Sequence, residues 1–299
     1  MEMLRIDGLC KRFGDKEVLR GLELCVPEGS IFGFVGKNGA GKTTAMKTVL
    51  GLLRADAGEI TVNGKRVVYG QTDTNRDVGY LPDVPEFYSF MTAKEYLRFC
   101  GEITGMRRAE NEARAKELLS LVGLSEERHR IKGFSRGMKQ RLGIAQALLC
   151  RPKLLLCDEP TSALDPVGRR EILDLLLSVK EQTTVLFSTH VLSDVERICT
   201  DVAVLDGGVV RMQGKLSDIK TKYRSDEYLI ETERPSDAAL LKAAFPEAKE
   251  IDQSKVILSE GRHSVSEVLR FVADQRISLL RVERLEPSLE DLFMGVTEK

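Results

Sequence analysis

A glycine-rich segment at residues 36–44 has the residue types and spacing of a phosphate-binding loop. It reads Gly-Lys-Asn-Gly-Ala-Gly-Lys-Thr-Thr and follows the apolar run 31–35. Glycines let the backbone turn tightly enough for several N–H groups to point at one anion, and the start of the next helix adds partial positive charge. Lys42 then supplies a charge for the outer phosphates, and the Thr43 hydroxyl supplies an oxygen ligand for magnesium. A chance match in a loop is the alternative, which the strand before and the helix after disfavour.

Two acidic residues follow a second apolar run. Residues 154–157 are Leu-Leu-Leu-Cys, and Asp158 and Glu159 come directly after them. A strand that is apolar on both sides belongs in a sheet covered by helices on both faces, and ligands bind at the carboxyl ends of such strands. We therefore expect Asp158 to hold magnesium through water and Glu159 to accept a proton from an attacking water. An isolated Asp-Glu-Pro could instead be a helix-capping turn, but the phosphate loop upstream disfavours that interpretation.

A histidine follows a third apolar run. Residues 183–187 predict another buried strand, and Ser-Thr-His follows at 188–190. Taken alone, a histidine at a strand end is more often structural. Because this strand should neighbour the one that ends at Asp158, we expect His190 to lie near the γ-phosphate of a bound nucleotide. Lys42, Glu159 and His190 are therefore the predicted catalytic residues.

The elements that must position these residues are strands and helices spread over the first 220 residues. Strands are predicted at 4–13 and 17–26, and an Asn-Gly pair at 63–64 predicts a hairpin within 59–69. Further apolar patterns predict helices at 44–53 and 109–122, a helix that begins after Thr92, one that is opened by residues 133–141 and one that begins after Asp165. They also predict a closing hairpin within 202–212. Three aromatic residues, Phe87, Tyr88 and Phe90, lie at the start of this helical stretch. This aromatic cluster could form part of its core or a docking surface.

The last 80 residues predict a second, smaller domain. A polar, lysine-rich stretch at 217–225 predicts a linker. Beyond it, the patterns predict strands at 228–231, 255–259 and 277–286 and helices at 236–244, 265–276 and 288–297. No catalytic constellation is visible in this small α+β region.

The composition is that of an ordinary soluble globular protein of about two domains. The 299 residues are 42% hydrophobic and 30% charged, with a formal net charge of −1 and a pI near 6.4, so the chain as a whole does not attract nucleic acid or anionic lipid. No apolar segment approaches the roughly 18 residues needed to cross a bilayer. Six cysteines lack metal-site spacing and predict reduced, mostly core positions in a cytosolic protein: Cys10, Cys25, Cys100, Cys150, Cys157 and Cys199.

Taken in order, these motifs resemble the complete set of an ABC-type ATPase. They are 36–44, the Phe-Ser-Arg-Gly-Met-Lys-Gln-Arg stretch at 134–141, 154–160, 162–165 and His190. The second of these is the most specific, because ordinary phosphate-loop enzymes lack it. The resemblance covers roughly residues 2–220 and implies an α/β fold, with a P-loop NTPase core, an antiparallel β subdomain and a helical subdomain at about 82–134. The domains would be an ABC ATPase domain at 1–220 and a C-terminal accessory α+β domain at 221–299.

The resemblance also implies ATP and Mg²⁺ as cofactors and assigns the binding residues. Phe13, which by periodicity alone could be a half-buried strand residue, would stack on adenine, and Ser135 and Gly137 would reach the γ-phosphate held by a partner cassette. Asp165 would join the two sites, and His190 would be the switch histidine. The full set of predicted nucleotide-binding residues is Phe13, Gly36, Asn38, Gly39, Ala40, Gly41, Lys42, Thr43, Thr44, Ser135, Gly137 and Asp165.

Two features depart from the family pattern. The family usually has glycine at position 136 and glutamine at 138, where this chain has Arg136 and Met138. It also commonly has a magnesium-contacting glutamine where this chain has Asp83, and a carboxylate there could still be a metal ligand. The predicted metal ligands are therefore Thr43, Asp158 and Asp83.

The sequence thus predicts the ATP-hydrolysing subunit of an ABC transporter, with export indicated by an ending that resembles those of drug-, antibiotic- and sodium-efflux cassettes. One phosphate loop and one Ser135-type segment cannot form two facing sites, so we expect a second cassette, as a homodimer or with a sister chain. An integral membrane permease is the other predicted partner, holding the protein at the cytoplasmic face of the membrane, and no nucleic acid is expected. The alternatives are a soluble ABC ATPase acting on ribosomes or DNA, and a nucleotide-sensing module that does not hydrolyse.

Overall fold

The computed structural model describes residues 1–71, 73–222, 226–285 and 289–290. The chain divides into two compact units, with Leu216 ending the first and Ser217 beginning the second. The sequence places its domain boundary four residues later, at 220–221, and that assignment of domains remains a prediction.

The first unit mixes strands and helices. In chain order its elements are β1 (Glu2–Phe13), β2 (Lys16–Pro27), β3 (Ile31–Val35), α1 (Lys42–Val49), β4 (Ala57–Val62), β5 (Lys65–Arg66), β6 (Val78–Leu81), α2 (Ala93–Ile103), α3 (Arg108–Leu121), α4 (Arg136–Ala147), β7 (Leu154–Asp158), α5 (Pro166–Ser178), β8 (Thr184–Thr189), α6 (Leu192–Ile198), β9 (Asp201–Asp206) and β10 (Val209–Lys215). A further helix, α7 (Leu216–Lys222), begins at the boundary between the units.

Two sheets organise this unit. One is antiparallel with the order β2-β1-β4-β5, and its last two strands turn at Asn63 and Gly64, whose φ angles of 49° and 73° suit the twist of a two-residue hairpin. The other has the order β10-β9-β3-β8-β7-β6 and is parallel from β9 to β6. Every residue of β3, β7 and β8 is buried, as a sheet covered on both faces requires. Their carboxyl ends carry the phosphate loop, the acidic pair and His190, which confirms the predicted arrangement.

A helical segment lies between β6 and β7. Helix α2 begins after Thr92, whose hydroxyl accepts a hydrogen bond from the Glu95 N–H while the Glu95 carboxylate accepts one from the Thr92 N–H. The Thr92 hydroxyl also donates to the Glu95 carboxylate, and the backbone N–H bond first and this hydroxyl bond second lower the pKa of Glu95. The predicted cap at Thr92 is therefore confirmed as a capping box.

The structure differs from the predicted elements at several places. Helix α1 ends at Val49 instead of residue 53, because Gly51 takes a left-handed φ of 67° that ends the turn. The second hairpin strand is only Lys65–Arg66, and strand β6 and helix α6 have no predicted counterpart. The linker predicted at 217–225 is wrong for residues 217–222, which are helical, while residues 223–225 lie outside the described residues.

The second unit is a four-stranded sheet with helices packed on it. Its elements are β11 (Glu227–Thr232), α8 (Pro235–Ala244), β12 (Lys249–Asp252), β13 (Lys255–Ser259), α9 (Val265–Asp274) and β14 (Leu279–Arg284), and the sheet order is β12-β13-β11-β14. Alternate residues of β11 and β13 are buried and meet α8 and α9 in a core that includes Tyr228, Ile230, Leu241, Val256 and Val268. The structure has β11, β13 and β14 at the predicted strands 228–231, 255–259 and 277–286, and α8 and α9 at the predicted helices 236–244 and 265–276, although β14 is shorter than predicted. Strand β12 has no predicted counterpart. The predicted helix at 288–297 lies outside the described residues except for 289–290.

The structure also tests the predictions about membrane-spanning segments and cysteines. Among the residues with described structure, no helix has the length and apolar character needed to span a bilayer. Of the cysteines, Cys157 is buried, Cys150 is exposed and the other four are partly buried. The prediction of core positions is therefore right for Cys157 and wrong for Cys150.

Candidate active site

The phosphate loop connects the end of β3 to the start of α1, and glycines are required at its tightest points. A Cβ atom at Gly36 would lie 2.6 Å from the Leu205 carbonyl oxygen, and one at Gly41 would lie 2.7 Å from Leu19 Cδ2. Gly41 also has a φ of 113°, which side chains other than hydrogen disfavour. The loop can therefore adopt this conformation only with glycine at positions 36 and 41, because a larger residue at either position would clash with its neighbours.

The first turn of α1 is open to an anion. Its N-cap is Gly41, so no side chain caps it, and none of its first-turn residues is acidic. The N–H groups of such a turn have no partner within the helix and carry partial positive charge. Asn38, Gly39 and Thr43 are exposed on the loop and the turn, while Ala40 and Thr44 are partly buried.

Lys42 folds over the loop from the first position of α1. The side chain is only 6% exposed, and Nζ donates to the carbonyl oxygens of Gly36, at 2.6 Å, and Lys37, at 3.3 Å. It also lies 3.2 Å from Glu159 Oε1, as an ion pair without hydrogen-bond alignment. The ammonium group is thus held between the loop and the predicted general base.

Asp158 ends β7 with both carboxylate oxygens held. It is 2% exposed, Oδ2 accepts a hydrogen bond of 2.6 Å from the Thr43 hydroxyl, and Oδ1 accepts one of 2.6 Å from the Ser188 hydroxyl. The structure therefore brings Asp158 to the phosphate loop, as the strand pattern predicts. Burial first, and the nearby Asp158 charge second, raise the pKa of Tyr80 and of Cys157, so both side chains are neutral beside this carboxylate at pH 7.

Glu159 takes an unusual backbone conformation. Its φ of 46° lies in the left-handed region, and its N–H donates to both the carbonyl and the hydroxyl oxygen of Ser188, at 3.2 and 3.0 Å. Its Oε2 lies 2.9 Å from His190 Nδ1, while Oε1 faces Lys42. The three predicted catalytic residues therefore form one contiguous group.

Ser188 is a site residue that the sequence reasoning does not single out. It is fully buried in β8, and its hydroxyl donates to Asp158 while it accepts from the Glu159 N–H. It is thereby the one described side chain that bonds to both acidic residues. The signal in the sequence is a hydroxyl two residues before His190, directly after the apolar run 185–187, and this alone does not distinguish a structural serine from a positioning one.

The other predicted nucleotide residues lie at the ends of their own elements. Phe13 ends β1 with 47% of its surface exposed, and Lys11 Nζ lies 5.3 Å from its ring centroid. Ser135 caps α4 by accepting from the Met138 N–H at 3.2 Å, and Asp165 caps α5 by accepting from the Gly168 N–H at 2.9 Å. Gly137 is next to open space, because an added Cβ would meet only Leu164, at 3.9 Å. These contacts are local, and the roles implied by the family resemblance remain predictions.

Asp83 lies with residues of two other segments. Its Oδ1 accepts a hydrogen bond of 2.5 Å from the Ser162 hydroxyl and is 3.5 Å from an Arg136 guanidinium nitrogen. The same guanidinium donates to Ser162 Oγ at 3.1 Å. The role of Asp83 as a metal ligand remains a prediction, and the described partners of its carboxylate are Ser162 and Arg136.

The residues present fit a magnesium nucleotide. Magnesium prefers hard oxygen ligands, and the Thr43 hydroxyl and the buried Asp158 carboxylate are within hydrogen-bond distance of each other. The uncapped turn of α1 and Lys42 provide the donors that phosphate oxygens need. Glu159 Oε1 is buried without a hydrogen-bond donor, on the side that faces the loop. A P-loop nucleotide hydrolase is the class of protein that this fold and site define.

Comparisons with known proteins agree. Residues 19–162 match the family model described as "ABC transporter", and residues 214–297 match "ATP-binding protein DrrA1-3-like, C-terminal domain". The chain is 37% identical to the uncharacterized ABC transporter ATP-binding protein YxlF of Bacillus subtilis, over 98% of this chain and 99% of that protein. It is 32% identical to the linearmycin resistance ATP-binding protein LnrL of the same species, over 99% and 98% of the two chains. A solved ATP-binding subunit of an ABC transporter aligns with a TM-score of 0.66 and 33% identity, over 74% of this chain and 93% of that one.

The chain belongs to the ATP-binding proteins of ABC transporters. It is the ATP-hydrolysing subunit of such a transporter, it uses ATP with Mg²⁺, and it works with a membrane permease. The predicted ABC ATPase fold is confirmed, and the alternatives on ribosomes or DNA find no support.

Proposed function

We propose that this chain drives export of a small molecule, drug, peptide or ion, with hydrolysis carried out by the Lys42, Asp158, Glu159 and His190 group. The observation that carries the proposal is the position of Glu159, whose carboxylate is ion-paired with Lys42 at 3.2 Å and lies 2.9 Å from His190 Nδ1. A carboxylate held this way has a fixed direction and a free lone pair for the proton of an attacking water. Bound magnesium supplies charge neutralisation for the phosphates next to Thr43 and Asp158.

The group divides the work of hydrolysis among its members. The N–H groups of the α1 turn and Lys42 bind the phosphates, and Asp158 with Thr43 fixes the metal side of the pocket. Glu159 takes the proton when water attacks phosphorus, and ADP leaves on the opposite side. His190 holds the second Glu159 oxygen, so the carboxylate does not rotate away from the water.

A second cassette completes the site in this proposal. Ser135 and Gly137 stand at the exposed start of α4, and no described side chain fills the space over Gly137 within 3.9 Å. A γ-phosphate bound by a partner cassette would meet the positive end of this helix. ATP would then close the dimer, and hydrolysis would reopen it. Whether the partner is a second copy or a sister chain makes no difference to these residue roles.

The surface proposed to meet the permease lies beside the helical segment. A groove of about 480 Å³ is lined by residues that include Val84, Pro85, Phe87, Ile131 and Lys139. Next to it in the chain, Tyr88 and Phe90 are 51% and 61% exposed, while Phe87 packs edge-on against Tyr96 at 5.0 Å. The core interpretation of the aromatic cluster is therefore wrong for Tyr88 and Phe90. Exposed aromatic residues beside a groove favour a protein partner, and the permease would hold this chain at the cytoplasmic face of the membrane.

Export is supported by the relatives, and not by the site. The name of LnrL describes a resistance protein, and this chain matches it over almost its whole length, including the second unit. The permease selects the transported molecule, so the residues of this chain determine ATP hydrolysis and do not determine which substrate is carried.

Glu159→Gln tests the proposal. The amide keeps the shape of the side chain but cannot take a proton, so we expect at least about a hundredfold loss of phosphate release with MgATP binding retained. Glu102→Gln is the matched control, because Glu102 is an exposed residue of α2 whose ion pair with Arg98 is 3.0 Å. Phosphate release and binding of a fluorescent ATP analogue are measured on both. Turnover by the Glu159 variant at the wild-type rate would refute the assignment.

A further inference from the structure

Two of the three positions that depart from the family pattern, Asp83 and Arg136, lie in contact with each other. Asp83 stands where the family commonly has glutamine, and Arg136 where it usually has glycine. In the structure they are 3.5 Å apart, and both bond to Ser162. A single hydroxyl thereby joins the loop after β6, the first residue of α4 and the turn that follows Glu159.

Each bond in this cluster has a defined donor. The guanidinium of Arg136 can only donate, so Ser162 Oγ accepts from it at 3.1 Å. The Ser162 hydroxyl proton is then free for the Asp83 carboxylate at 2.5 Å. A carboxylate suits this chain of bonds because it accepts only, and the positive charge of Arg136 offsets it.

The cluster is connected to the general base through the backbone. The Ser162 N–H donates to the Glu159 carbonyl oxygen at 3.1 Å, which closes the turn between the two residues. The neighbouring Thr161 hydroxyl donates to the buried Asp194 at 2.7 Å and fixes the other side of the turn. On the groove side, Gln140, which is fully buried, donates to the Asp83 carbonyl oxygen at 3.0 Å. A shift of Asp83 therefore displaces Ser162, and Ser162 displaces the backbone of Glu159.

We propose that Asp83 and Arg136 are a compensated pair of positioning residues that act through Ser162 to set the Glu159 turn for hydrolysis. Asp83 and Arg136 also line the groove proposed for the permease, so a partner seated there contacts the same pair. The pair rests on the proposed role of Glu159. The inference goes beyond that role because it states that the effect of Asp83 on the rate depends on Arg136, and the effect of Arg136 on Asp83.

The pair acts on rate and not on folding. Arg136 and Asp83 have 43% and 48% of their side chains exposed, and exposed ion pairs contribute little to stability. Removing Arg136 leaves an uncompensated carboxylate on Ser162, whereas removing Asp83 leaves a guanidinium without its counter-charge. Replacing both with the family residues removes the charge pair as a whole.

The test is a double-mutant cycle on the full chain. Arg136→Gly and Asp83→Gln are each expected to lower kcat by about tenfold with the KM for MgATP changed less than about twofold, and the double variant to recover to within about threefold of wild type. Arg136→Lys keeps the charge and is expected to retain most of the rate. Arg108→Gly is the matched control, because Arg108 is likewise an exposed first residue of a helix, with its own ion pair to Glu112 at 3.2 Å.

The outcomes separate this inference from the function on which it rests. Single-variant losses that multiply in the double variant, or an Arg136→Gly rate equal to wild type, would overturn the compensated pair. Neither result affects the assignment of Glu159, which is tested by its own variant. Urea unfolding of all variants checks that the losses do not come from misfolding, because a change in kcat at unchanged unfolding midpoint cannot come from lost stability.

Discussion

Ser188→Ala removes the hydroxyl that holds both acidic residues. The Ser188 hydroxyl donates to Asp158 at 2.6 Å and accepts from the Glu159 N–H at 3.0 Å, in a position with no exposed surface. Asp158 keeps its bond from Thr43, and the Glu159 N–H keeps the Ser188 carbonyl oxygen at 3.2 Å. The variant therefore loosens the two carboxylates without deleting either.

The magnitude follows from the kind of bond that is lost. A hydrogen bond to a charged group contributes about 1.5–3 kcal/mol, and here water cannot readily replace the donor because Asp158 is only 2% exposed. If that loss falls on the transition state, the rate decreases by about 10- to 150-fold. Because Asp158 belongs to the metal side of the pocket, the magnesium concentration needed for half-maximal rate should increase as well.

The assay is phosphate release as a function of magnesium at saturating ATP, together with urea unfolding. Ser188→Thr keeps a hydroxyl at the same carbon and should recover much of the rate, while Ser178→Ala is the control, since the Ser178 hydroxyl bonds only a backbone carbonyl, that of Leu175 at 2.7 Å. An alanine variant with wild-type kcat and wild-type magnesium dependence would refute the positioning role of Ser188.

Two further predictions concern the permease surface and pH. Replacing Tyr88 and Phe90 by serine should change the free energy of unfolding little, because both side chains are more than half exposed, but should abolish co-purification with the permease. The control is Ile103→Ser, at a residue of α2 that is 69% exposed. If the double serine variant still co-purified with the permease, this surface would be excluded. The hydrogen bonds from Thr92 lower the pKa of Glu95 below its usual 4.5, so the stabilisation they give is present above that pH and is lost as pH falls through the lowered value. The unfolding midpoints of wild type and Glu95→Ala in urea should therefore differ at about pH 7 and converge at about pH 3, and a difference that does not narrow would contradict the capping role.

The sequence predicts those parts of the site that strand ends bring together. Strands β3 and β7 carry apolar runs over nearly their whole length and β8 has the apolar run 185–187, and buried runs of this kind are typical of a parallel sheet, whose carboxyl ends here gather Lys42, Asp158 and His190. Strand β6 is less visible because it is only four residues long and contains Gly79. A Cβ at that glycine would lie 2.2 Å from the Ala147 carbonyl oxygen, so close packing on α4, and not strand propensity, decides the residue.

Contacts between distant segments are what the sequence could not supply. Ser162 and Asp83 are 79 positions apart, and neither residue type indicates the other as its partner. Ser188 is similar, because a serine in a buried strand has many ways to satisfy its hydroxyl. Local patterns therefore predict which residues reach the site, while the folded arrangement decides which of them hold one another in place.

The left-handed backbone at Glu159 has a consequence for how two adjacent carboxylates serve one pocket. Consecutive residues of a strand point to opposite faces of the sheet, so a strand that continued straight through Asp158 would aim the next side chain away from the nucleotide. The φ of 46° interrupts that alternation, and both acids meet neighbouring residues of α1, Asp158 at Thr43 and Glu159 at Lys42. The unfavourable backbone conformation of this one residue thus lets two consecutive carboxylates face the same pocket, although a regular strand would direct them to opposite faces of the sheet.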